Sequence, residues 1–232
     1  IILKVGEPMG SFYGYVFDGI YQNEAECEAL PYPSVDDCEP GMVKLKDLTG
    51  EGEIDTDDRT IIGCAQPDFV FGFGNDFSWK GFDLNLMFQG SVGGDIMNLN
   101  RVSLEGFTGT RNRLKKVLTE SWQGEGSSNT IQKIGKSSGP CSSRWIEDGS
   151  YVRLKNVSLG YTLPPKIINR WGISNFRVYI SGQNLFTITD YSWYDPEINS
   201  RGAEDDANVM LGVDWGGYPS TKSCTIGINI GF

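Results

Sequence analysis

Apolar and polar positions alternate most regularly over the last residues of the chain, 223–232. The apolar positions of this stretch are Cys224, Ile226, Ile228, Ile230 and Phe232. The residues between them are small or polar, and a β-strand turns successive side chains to opposite faces, so the spacing predicts a strand with one apolar face. Its length suits a transmembrane β-barrel strand, which needs about 9–11 residues. The alternation alone does not distinguish such a strand from a half-buried strand of a soluble sheet, which alternates in the same way.

The same alternation occurs on both sides of a short turn within residues 67–89. Large apolar groups occupy one parity, interrupted only by Asn75, and they are Phe69, Phe71, Phe73, Phe77, Trp79, Phe82, Leu84, Leu86 and Phe88. Lys80 and Gly81 between the two runs predict a two-residue turn, and therefore a β-hairpin. The other parity holds mostly Gly, Asp, Ser and Asn, whereas the wet face of a soluble sheet usually carries Lys, Glu and Thr. This difference favours a barrel.

Further strands are predicted at 157–163, at 176–180 and, more weakly, at 12–21. The apolar parity changes just before the first of these, which predicts a β-bulge near Asn156. Short and long connections alternate along the chain, and the long ones cover about 22–66, 90–150 and 190–222. Outer-membrane barrels alternate in this way, because their periplasmic turns are short and their extracellular loops are long.

We therefore predict an all-β fold of antiparallel transmembrane β-barrel strands with long extracellular loops. The closing strand is 223–232, and its neighbour is the strand at 176–180. Single-chain barrels begin at about eight strands. The six predicted strands thus indicate that residues 1–232 are the C-terminal segment of a larger barrel, whose first strand lies outside this sequence.

Composition excludes several classes of function. The net charge is −10 and the chain has no basic tract, which argues against nucleic-acid binding. The chain has no histidine, which argues against zinc catalysis and against Ser-His-Asp or Cys-His sites. No apolar run reaches the length of about 18 residues that a transmembrane helix needs, but barrel strands give a much weaker hydropathy signal.

Two local patterns lie within the long connections. Residues 110–122 carry apolar side chains at helical spacing, which predicts a short helix packed on its own loop. Cys27 and Cys38 lie close together in a polar stretch and can form a disulfide in an oxidising compartment. The remaining cysteines, which have no obvious partner in the sequence, are Cys64, Cys141 and Cys224.

The stretch 47–58 has the spacing of an EF-hand-type calcium loop. The predicted ligand positions are Asp47, Thr49, Glu51, Glu53, Asp55 and Asp58. Gly52 occupies the position where such a loop turns sharply, and Glu53 would contribute its backbone carbonyl. Thr49, Glu51 and Asp58 differ from the residues usual at their positions, and an acidic turn shaped by Gly and Asp explains the same pattern without a metal. A structural Ca²⁺ is one hypothesis for this stretch.

Several strings of this sequence occur together in a combination that resembles the C-terminal part of SusC/RagA-family TonB-dependent outer-membrane transporters. They include GSFYGYVFDGIYQ at 10–22, KLKDLTGEGEIDTDDRTIIG at 44–63, and further segments at 67–73, 80–96, 150–164, 182–191, 195–197, 217–219 and the terminal GINIGF. The resemblance covers essentially the whole chain. The segment 27–40 departs from it.

The resemblance implies a 22-stranded barrel in the bacterial outer membrane, surrounded by lipid and closed by an N-terminal plug. It implies import of oligosaccharides or peptides, driven through TonB and assisted by a SusD-like surface lipoprotein. The plug and the TonB-contacting segment would lie upstream of this chain, and no enzymatic activity is implied. The alternative that the residues leave open is a soluble, calcium-stabilised β-sandwich that binds glycans at the cell surface.

Aromatic side chains in the long connections are the candidates for contact with substrate. They are Trp193, Tyr194, Trp215 and Tyr218. Such rings can stack on sugars, but they can equally pack the loops against each other. The acidic run Glu204, Asp205 and Asp206 is typical of a solvated loop face.

Overall fold

The structure is a computed structural model that describes residues 1–34, 37–106, 112–198 and 210–232. Its strands are β1 (Ser11–Gly14), β2 (Phe17–Ile20), β3 (Val43–Leu45), β4 (Thr60–Cys64), β5 (Phe69–Trp79), β6 (Phe82–Val92), β7 (Asp95–Asn98), β8 (Ile146–Asp148), β9 (Tyr151–Thr162), β10 (Asn175–Gln183), β11 (Thr187–Thr189), β12 (Val213–Asp214) and β13 (Ser223–Gly231). Its helices are α1 (Glu24–Ala29), α2 (Leu99–Glu105), α3 (Lys115–Glu120) and α4 (Pro165–Ile168), with single 3₁₀ turns at Thr56–Asp58, Ser143–Trp145 and Asn169–Trp171. Among the described residues, no helix is long and apolar enough to cross a membrane.

The chain divides into two compact units. The first, which we call the loop unit, comprises Ile1–Gln66, Gly94–Asp148 and Ile198–Gly217. The second, which we call the sheet unit, comprises Pro67–Gly93, Gly149–Glu197 and Tyr218–Phe232. Most of the connecting sequence predicted at 22–66, 90–150 and 190–222 therefore belongs to the loop unit, where it forms short strands and helices of its own.

One antiparallel sheet makes up most of the sheet unit. Its strand order is β13-β10-β9-β6-β5, and β11 pairs with β9 beside this path. β13 pairs with β10 along its whole length, from Gly231 opposite Asn175 to Ser223 opposite Gln183. The predicted neighbour of the terminal strand is therefore confirmed.

β5 and β6 form the predicted hairpin, in which Trp79 lies opposite Phe82. The φ angles of Lys80 and Gly81 are 48° and 91°. Positive φ at both central residues is what a type I′ turn requires, and this turn matches the twist of the two strands. A Cβ on Gly81 would lie 2.7 Å from the carbonyl oxygen of Thr162, so the close approach of the next strand also requires glycine here.

The register places the apolar positions of neighbouring strands side by side on one face. One row is Trp79, Phe82, Tyr161, Val178 and Ile228, and the next is Phe77, Leu84, Leu159, Ile180 and Ile226. Many of these side chains are exposed, including Trp79 at 68% and Ile226 at 75%. A continuous exposed apolar face of this kind is what barrel strands present to lipid, and it is larger than the scattered apolar residues of an ordinary soluble surface.

The opposite face of the same strands is polar or small. Its matching rows are Ser78, Asp83, Gly160, Tyr179 and Gly227, and Asp76, Asn85, Ser158, Ser181 and Thr225. Arg177 Nε donates to Asp83 Oδ1 at 3.0 Å, across the intervening strand β9. A Cβ on Gly160 would lie 2.6 Å from both of these atoms, so the glycine leaves room for the ion pair.

The predicted bulge is confirmed, and it keeps the two faces consistent along β9. Met87 lies opposite Asn156, whereas the next residue, Phe88, lies opposite Leu154. Lys155 is therefore the extra residue of a β-bulge. Because the bulge shifts the parity by one, Leu154 returns to the apolar face and Arg153 lies on the polar face.

The loop unit contains three small sheets, with strand orders β1-β4, β12-β7-β8 and β2-β3. Two clusters of buried apolar side chains lie in its described part. One contains Tyr15, Ile20, Val43, Leu45 and Trp122, and the other contains Phe12, Met97 and Val213. This unit thus has buried apolar cores, as expected of a domain surrounded by water.

Two predicted elements differ from the structure. The strand predicted at 12–21 is wrong as a single barrel strand, because the segment forms β1 and β2, which pair with β4 and β3 in the loop unit. Alternation shows that one face is buried but does not show which partner buries it. The helix predicted over 110–122 is confirmed only as α3, within which Leu118 is 70% exposed, and residues 110–111 lie outside the described residues.

Candidate functional site

A buried polar cluster on β9 fixes the loop segments that follow β10. We call it the Arg153 anchor, and it consists of Arg153, Lys155, Asp195, Glu197 and Ser220. The side chain of Arg153 is 3% exposed and donates to Glu197 Oε2 at 2.7 Å, to Ser220 Oγ at 3.0 Å and to Asp195. Its Nε donates to Thr187 Oγ1 at 2.8 Å. Lys155 adds contacts of 2.8 and 3.1 Å to the Glu197 carboxylate.

The anchor joins two segments that are distant in sequence. Asp195 Oδ1 accepts the backbone N–H of Glu197 at 2.9 Å, and Asp195 Oδ2 accepts that of Ser220 at 2.7 Å. Arg153 contacts both segments from β9, and β11 holds the beginning of the first segment against the same strand. The segments that contain Asp195 and Ser220 are therefore fixed to the sheet by hydrogen bonds.

The electrostatics of Asp195 follow from these contacts. Burial alone would raise the pKa of Asp195, but hydrogen bonds from Arg153 and from the N–H groups of Ser220 and Glu197 lower it below its ordinary value. The carboxylate is therefore ionised at neutral pH. A buried ion pair is stable only when its partners are satisfied, which is the case here.

The anchor positions two of the predicted substrate-contacting rings. Tyr194 directly precedes Asp195 and is 74% exposed, and Tyr218 lies two residues before Ser220 and is 89% exposed. Trp193 is half-buried and packs against Tyr194 with ring centroids 5.1 Å apart and an interplanar angle of 63°. Trp215, which is 50% exposed, lies in the loop unit. Glu204, Asp205 and Asp206 lie outside the described residues.

The predicted calcium loop brings some of its candidate ligands together. Thr49 Oγ1 lies 3.2 Å from Asp47 Oδ1, 3.1 Å from Glu51 Oε1 and 3.4 Å from Asp58 Oδ1. Glu53 is exposed, and the Asp55 carboxylate caps the Thr56–Asp58 turn by accepting the Asp57 N–H at 2.7 Å.

The carboxylates at the two ends of this loop, those of Asp47 and Asp58, accept hydrogen bonds from backbone N–H groups. Asp47 accepts from Gly52 at 2.9 Å and from Gly50 at 2.5 Å, and these bonds lower its pKa. Asp58 accepts from Leu48 at 2.7 Å and from Asp55 at 2.9 Å. Among the described residues, no group of three or more His, Cys, Asp or Glu side chains is arranged to hold a metal. The acidic turn is thus explained by backbone geometry, and the calcium hypothesis remains a prediction.

A second buried ion cluster lies in the loop unit and has a structural role. Glu105 at the end of α2 is fully buried and meets Arg101 at 2.7 Å, Arg144 at 3.3 Å and Lys116. Burial would raise the pKa of Glu105, but hydrogen bonds from Arg101 and Lys116 lower it. Burial also lowers the pKa of Arg144 to about 10. Because the carboxylate is enclosed, this cluster joins α2, α3 and the Ser143–Trp145 turn rather than offering a ligand site.

Arg153 is not among the site residues that the sequence predicts. An arginine on the polar parity of a strand looks like a solvated residue, and nothing local indicates that it is buried. The available signal was indirect, since the segments 195–197 and 217–219 both belong to the strings that carry the family resemblance. The first of them contains Asp195 and Glu197 of the Arg153 anchor, and the second directly precedes Ser220.

The known proteins to which this chain is similar belong to one class. No protein-family model matches the chain. The TonB-dependent receptor P3 of Formosa agariphila is 42% identical over 232 residues, which is 100% of this chain and 23% of the receptor. The TonB-dependent receptor SusC of Bacteroides thetaiotaomicron is 24% identical over 242 residues, covering 99% of this chain and 20% of SusC. A solved structure of the RagAB peptide importer matches with a TM-score of 0.72 and 26% identity, covering 96% of this chain and 22% of the solved chain.

The fold and these similarities define a chain of the TonB-dependent, barrel-forming class, and the predicted all-β fold class is confirmed. More specifically, the chain is part of a SusC/RagA-family TonB-dependent transporter, which confirms the resemblance found in its motifs. The chain spans about a quarter of the length of the curated relatives it matches, 23% in the case of receptor P3.

Proposed function

We propose that this chain is part of an outer-membrane transporter that imports oligosaccharides or peptides together with a SusD-like surface lipoprotein. Energy would come from TonB, through a part of the protein outside this chain. The chain itself would contribute barrel wall and substrate-facing loops, without enzymatic activity. Lipid of the bacterial outer membrane would surround the apolar face of the sheet.

The observation that carries this proposal is the pair of exposed apolar rows that cross the sheet unit from Trp79 to Ile228 and from Phe77 to Ile226. Outer-membrane strands alternate between lipid-facing apolar side chains and polar interior side chains, and this sheet does the same. The similarity to TonB-dependent barrel transporters supports the same conclusion. The alternative of a soluble β-sandwich loses its support, because a sandwich would bury one face of each sheet against the other.

The proposed contact with substrate is made by the exposed loop aromatics. They are Trp193, Tyr194, Trp215 and Tyr218. Exposed rings on a backbone held by buried ion pairs are pre-organised, so little conformational entropy is lost when a ligand stacks on them. Tyr194 and Tyr218 have the strongest support, because the Arg153 anchor fixes the backbone on which each is carried.

Uptake measurements test the proposal. The gene for the full-length protein is deleted, and uptake of fluorescent oligosaccharides and of fluorescent peptides by intact cells is measured with and without complementation. We expect one of the two substrate classes to lose uptake in the deletion strain and to regain it on complementation. Unchanged uptake and unchanged growth on both classes would contradict the proposed function.

The aromatic contacts are tested in the complemented strain. The double variant Tyr194→Ala/Tyr218→Ala should lower uptake by roughly ten-fold or more at limiting substrate, since each stacked ring contributes on the order of 1 kcal/mol. Trp171→Ala is the matched control, because Trp171 is an equally exposed ring, 69%, on the short connection between β9 and β10. Equal uptake by both variants at equal surface abundance would remove these rings from the site.

We also propose that the 47–58 loop binds Ca²⁺ as a structural clamp. Support comes from the carboxylate oxygens of Asp47, Glu51 and Asp58, which all lie within 3.4 Å of one hydroxyl, that of Thr49. Thermal unfolding with and without added Ca²⁺ tests this. A rise in Tm for wild type that is absent in Asp47→Ala supports the clamp, and no rise, or an equal rise in both proteins, removes it.

A further inference from the structure

The two short connections of the sheet unit lie together at one end of its strands. The first is the turn at 80–81 between β5 and β6, and the second, residues 163–174, joins β9 to β10. The Thr162 N–H at the end of β9 donates to the Gly81 carbonyl at 2.8 Å, so the second connection begins beside the first. Ile168 of α4 is 1% exposed, which shows that the second connection is packed onto the unit.

Every charged side chain of these two connections is a cation. Lys80 lies in the first, Lys166 and Arg170 lie in the second, and all three are exposed. None of the three forms an ion pair with another described residue. Asp83, the carboxylate nearest to Lys80 in sequence, is paired with Arg177 on the polar face. This end of the sheet therefore carries uncompensated positive charge, although the net charge of the chain is −10.

Exposed indole rings accompany these cations. Trp79 is 68% exposed and Trp171 is 69% exposed. Lys80 Nζ lies 4.8 Å from the centroid of the Trp79 ring, and Trp79 is the last apolar residue of β5 before the turn. Indole rings beside cations are typical of the boundary between lipid and water, because each ring has an apolar body and a polar N–H. We call the three cations and these two rings the basic rim.

We propose that the basic rim binds the headgroup of an anionic phospholipid. This inference rests on the proposed function, which places the sheet in a membrane. Short connections of outer-membrane barrels are periplasmic, so the lipid belongs to the inner leaflet. Lysine and arginine donate charge-assisted hydrogen bonds to phosphate oxygens, and arginine can donate two in parallel. A zwitterionic headgroup carries its own cation, whereas an anionic headgroup supplies the negative charge that the rim lacks.

The apolar face beside the rim favours a phospholipid over free phosphate. Free phosphate would gain only contacts with exposed cations, which water and salt screen. A phospholipid also places its acyl chains along the apolar row from Trp79 to Ile228, which holds its headgroup at the level of the rim. The two contacts of one molecule thus raise the effective concentration of the phosphate at the cations.

Photocrosslinking in bilayers tests the proposal. Full-length protein is placed in phosphatidylcholine bilayers that contain a trace of phosphatidylglycerol or phosphatidylcholine, each carrying a diazirine at the same position near the glycerol. Labelling is mapped to the peptides that contain 79–82 and 163–175. We expect the phosphatidylglycerol probe to label these peptides roughly three-fold or more strongly than the phosphatidylcholine probe, since each cation near the headgroups favours anionic lipid. High salt should reduce this preference.

A charge-matched pair of variants assigns the preference to the rim. The variant Lys80→Gln/Lys166→Gln/Arg170→Gln should label equally with both probes. The control Lys46→Gln/Lys115→Gln/Lys222→Gln removes the same charge at exposed lysines elsewhere and should keep the wild-type preference. Heat-modified gel mobility confirms that both variants are folded. A preference that survives in the rim variant, or that is lost in the control, would overturn the proposal.

The remaining outcomes separate the proposal from the function on which it rests. Equal labelling of the wild-type rim by the two probes would refute the anionic site, while the labelling itself would show that the sheet meets lipid. If neither probe labels any peptide of the sheet unit, the membrane location and the anionic site both fail. Excess inorganic phosphate should leave the preference unchanged at constant ionic strength, and its loss would show that the rim takes free phosphate instead.

Discussion

The sheet unit and the loop unit place their apolar side chains in opposite ways. In the loop unit Phe12, Ile20 and Leu45 are at most 1% exposed, as in any domain surrounded by water. In the sheet unit Phe77 and Ile228 remain 56% and 58% exposed, although their rows are continuous across the strands. The difference supports the proposed lipid surroundings of the sheet unit, whereas the loop unit packs as a domain in water does.

Charged groups follow one rule in both units. Glu105 is enclosed by three cations in the loop unit, and Arg153 is enclosed by carboxylates in the sheet unit. Buried charges are stable only when they are paired, whatever surrounds the outer surface. Apolar exposure, and not charge burial, therefore distinguishes the sheet unit from the loop unit.

The largest expected effect is in the loop unit, at Glu105. Glu105→Gln removes the negative charge that compensates Arg101, Arg144 and Lys116, and breaking a buried pair in this way costs about 3–5 kcal/mol. Hydrogen exchange of the α2 amides should accelerate accordingly. Glu120→Gln is the control, since Glu120 is exposed on α3. Equal exchange in the two variants would show that the cluster does not hold the unit together.

The next largest effect is the difference between arginine substitutions on the two faces of β9. Leu159→Arg places a cation in the apolar row of β9, where a charge facing lipid costs about 2–4 kcal/mol. Ser158→Arg, one residue earlier, places the same side chain on the polar face and should be tolerated. The folded fraction in outer membranes, measured by heat-modified gel mobility, should fall only for the first variant. A similar loss in both would show that the faces are not distinguished.

A smaller effect is expected within the polar face. Gly160→Ala introduces a Cβ at 2.6 Å from Asp83 Oδ1 and Arg177 Nε, and such overpacking costs about 1–3 kcal/mol. Gly74→Ala is the matched control on the same face of β5, because its Cβ would meet nothing within 4 Å. Thermal unfolding of the two variants checks this, and an equal Tm would contradict the role given to Gly160.

The smallest effect is the pH dependence of the Arg153 anchor. The pKa of Asp195 is lowered in the folded protein, so its stabilising contribution is complete above the ordinary aspartate value of 3.8 and is lost as pH falls through the lowered value. Exchange of the Ser220 amide, corrected for its intrinsic rate, should therefore be constant from neutral pH to about pH 5 and rise only at lower pH. A rise between pH 7 and pH 5 would contradict the contact.

Part of the fold could be predicted because the alternation of apolar and polar residues indicates where the strands lie and which of their faces is apolar. The hairpin at Lys80–Gly81, the bulge beside Asn156 and the pairing of the terminal strand each follow from parity or turn chemistry. The strand expected at 12–21 failed for a physical reason, since the same parity is satisfied by two short strands with different partners. A sequence pattern specifies a buried face but does not specify what covers it.

Less of the candidate site could be predicted. Tyr194 and Tyr218 were identifiable as loop aromatics, but the contact between Asp195 and the Ser220 N–H that holds their segments together joins residues far apart in sequence. Arg153 gave no local signal, because its burial results from segments that reach it only in the folded chain. The acidic stretch 47–58 is the opposite case. Its calcium-loop motif is clear in the sequence, but backbone hydrogen bonds explain the same arrangement without a metal.

The most direct test of the central claim compares the surroundings of two adjacent residues on β10. Spin labels are attached through single cysteines replacing Ile180 or Ser181, in full-length protein whose native thiols are blocked or replaced, and the protein is placed in lipid bilayers. We expect oxygen, which concentrates in lipid, to relax the label at Ile180, and a water-soluble nickel chelate to relax the label at Ser181. If the label at Ile180 responds to the nickel chelate as strongly as the label at Ser181, the apolar rows do not face lipid.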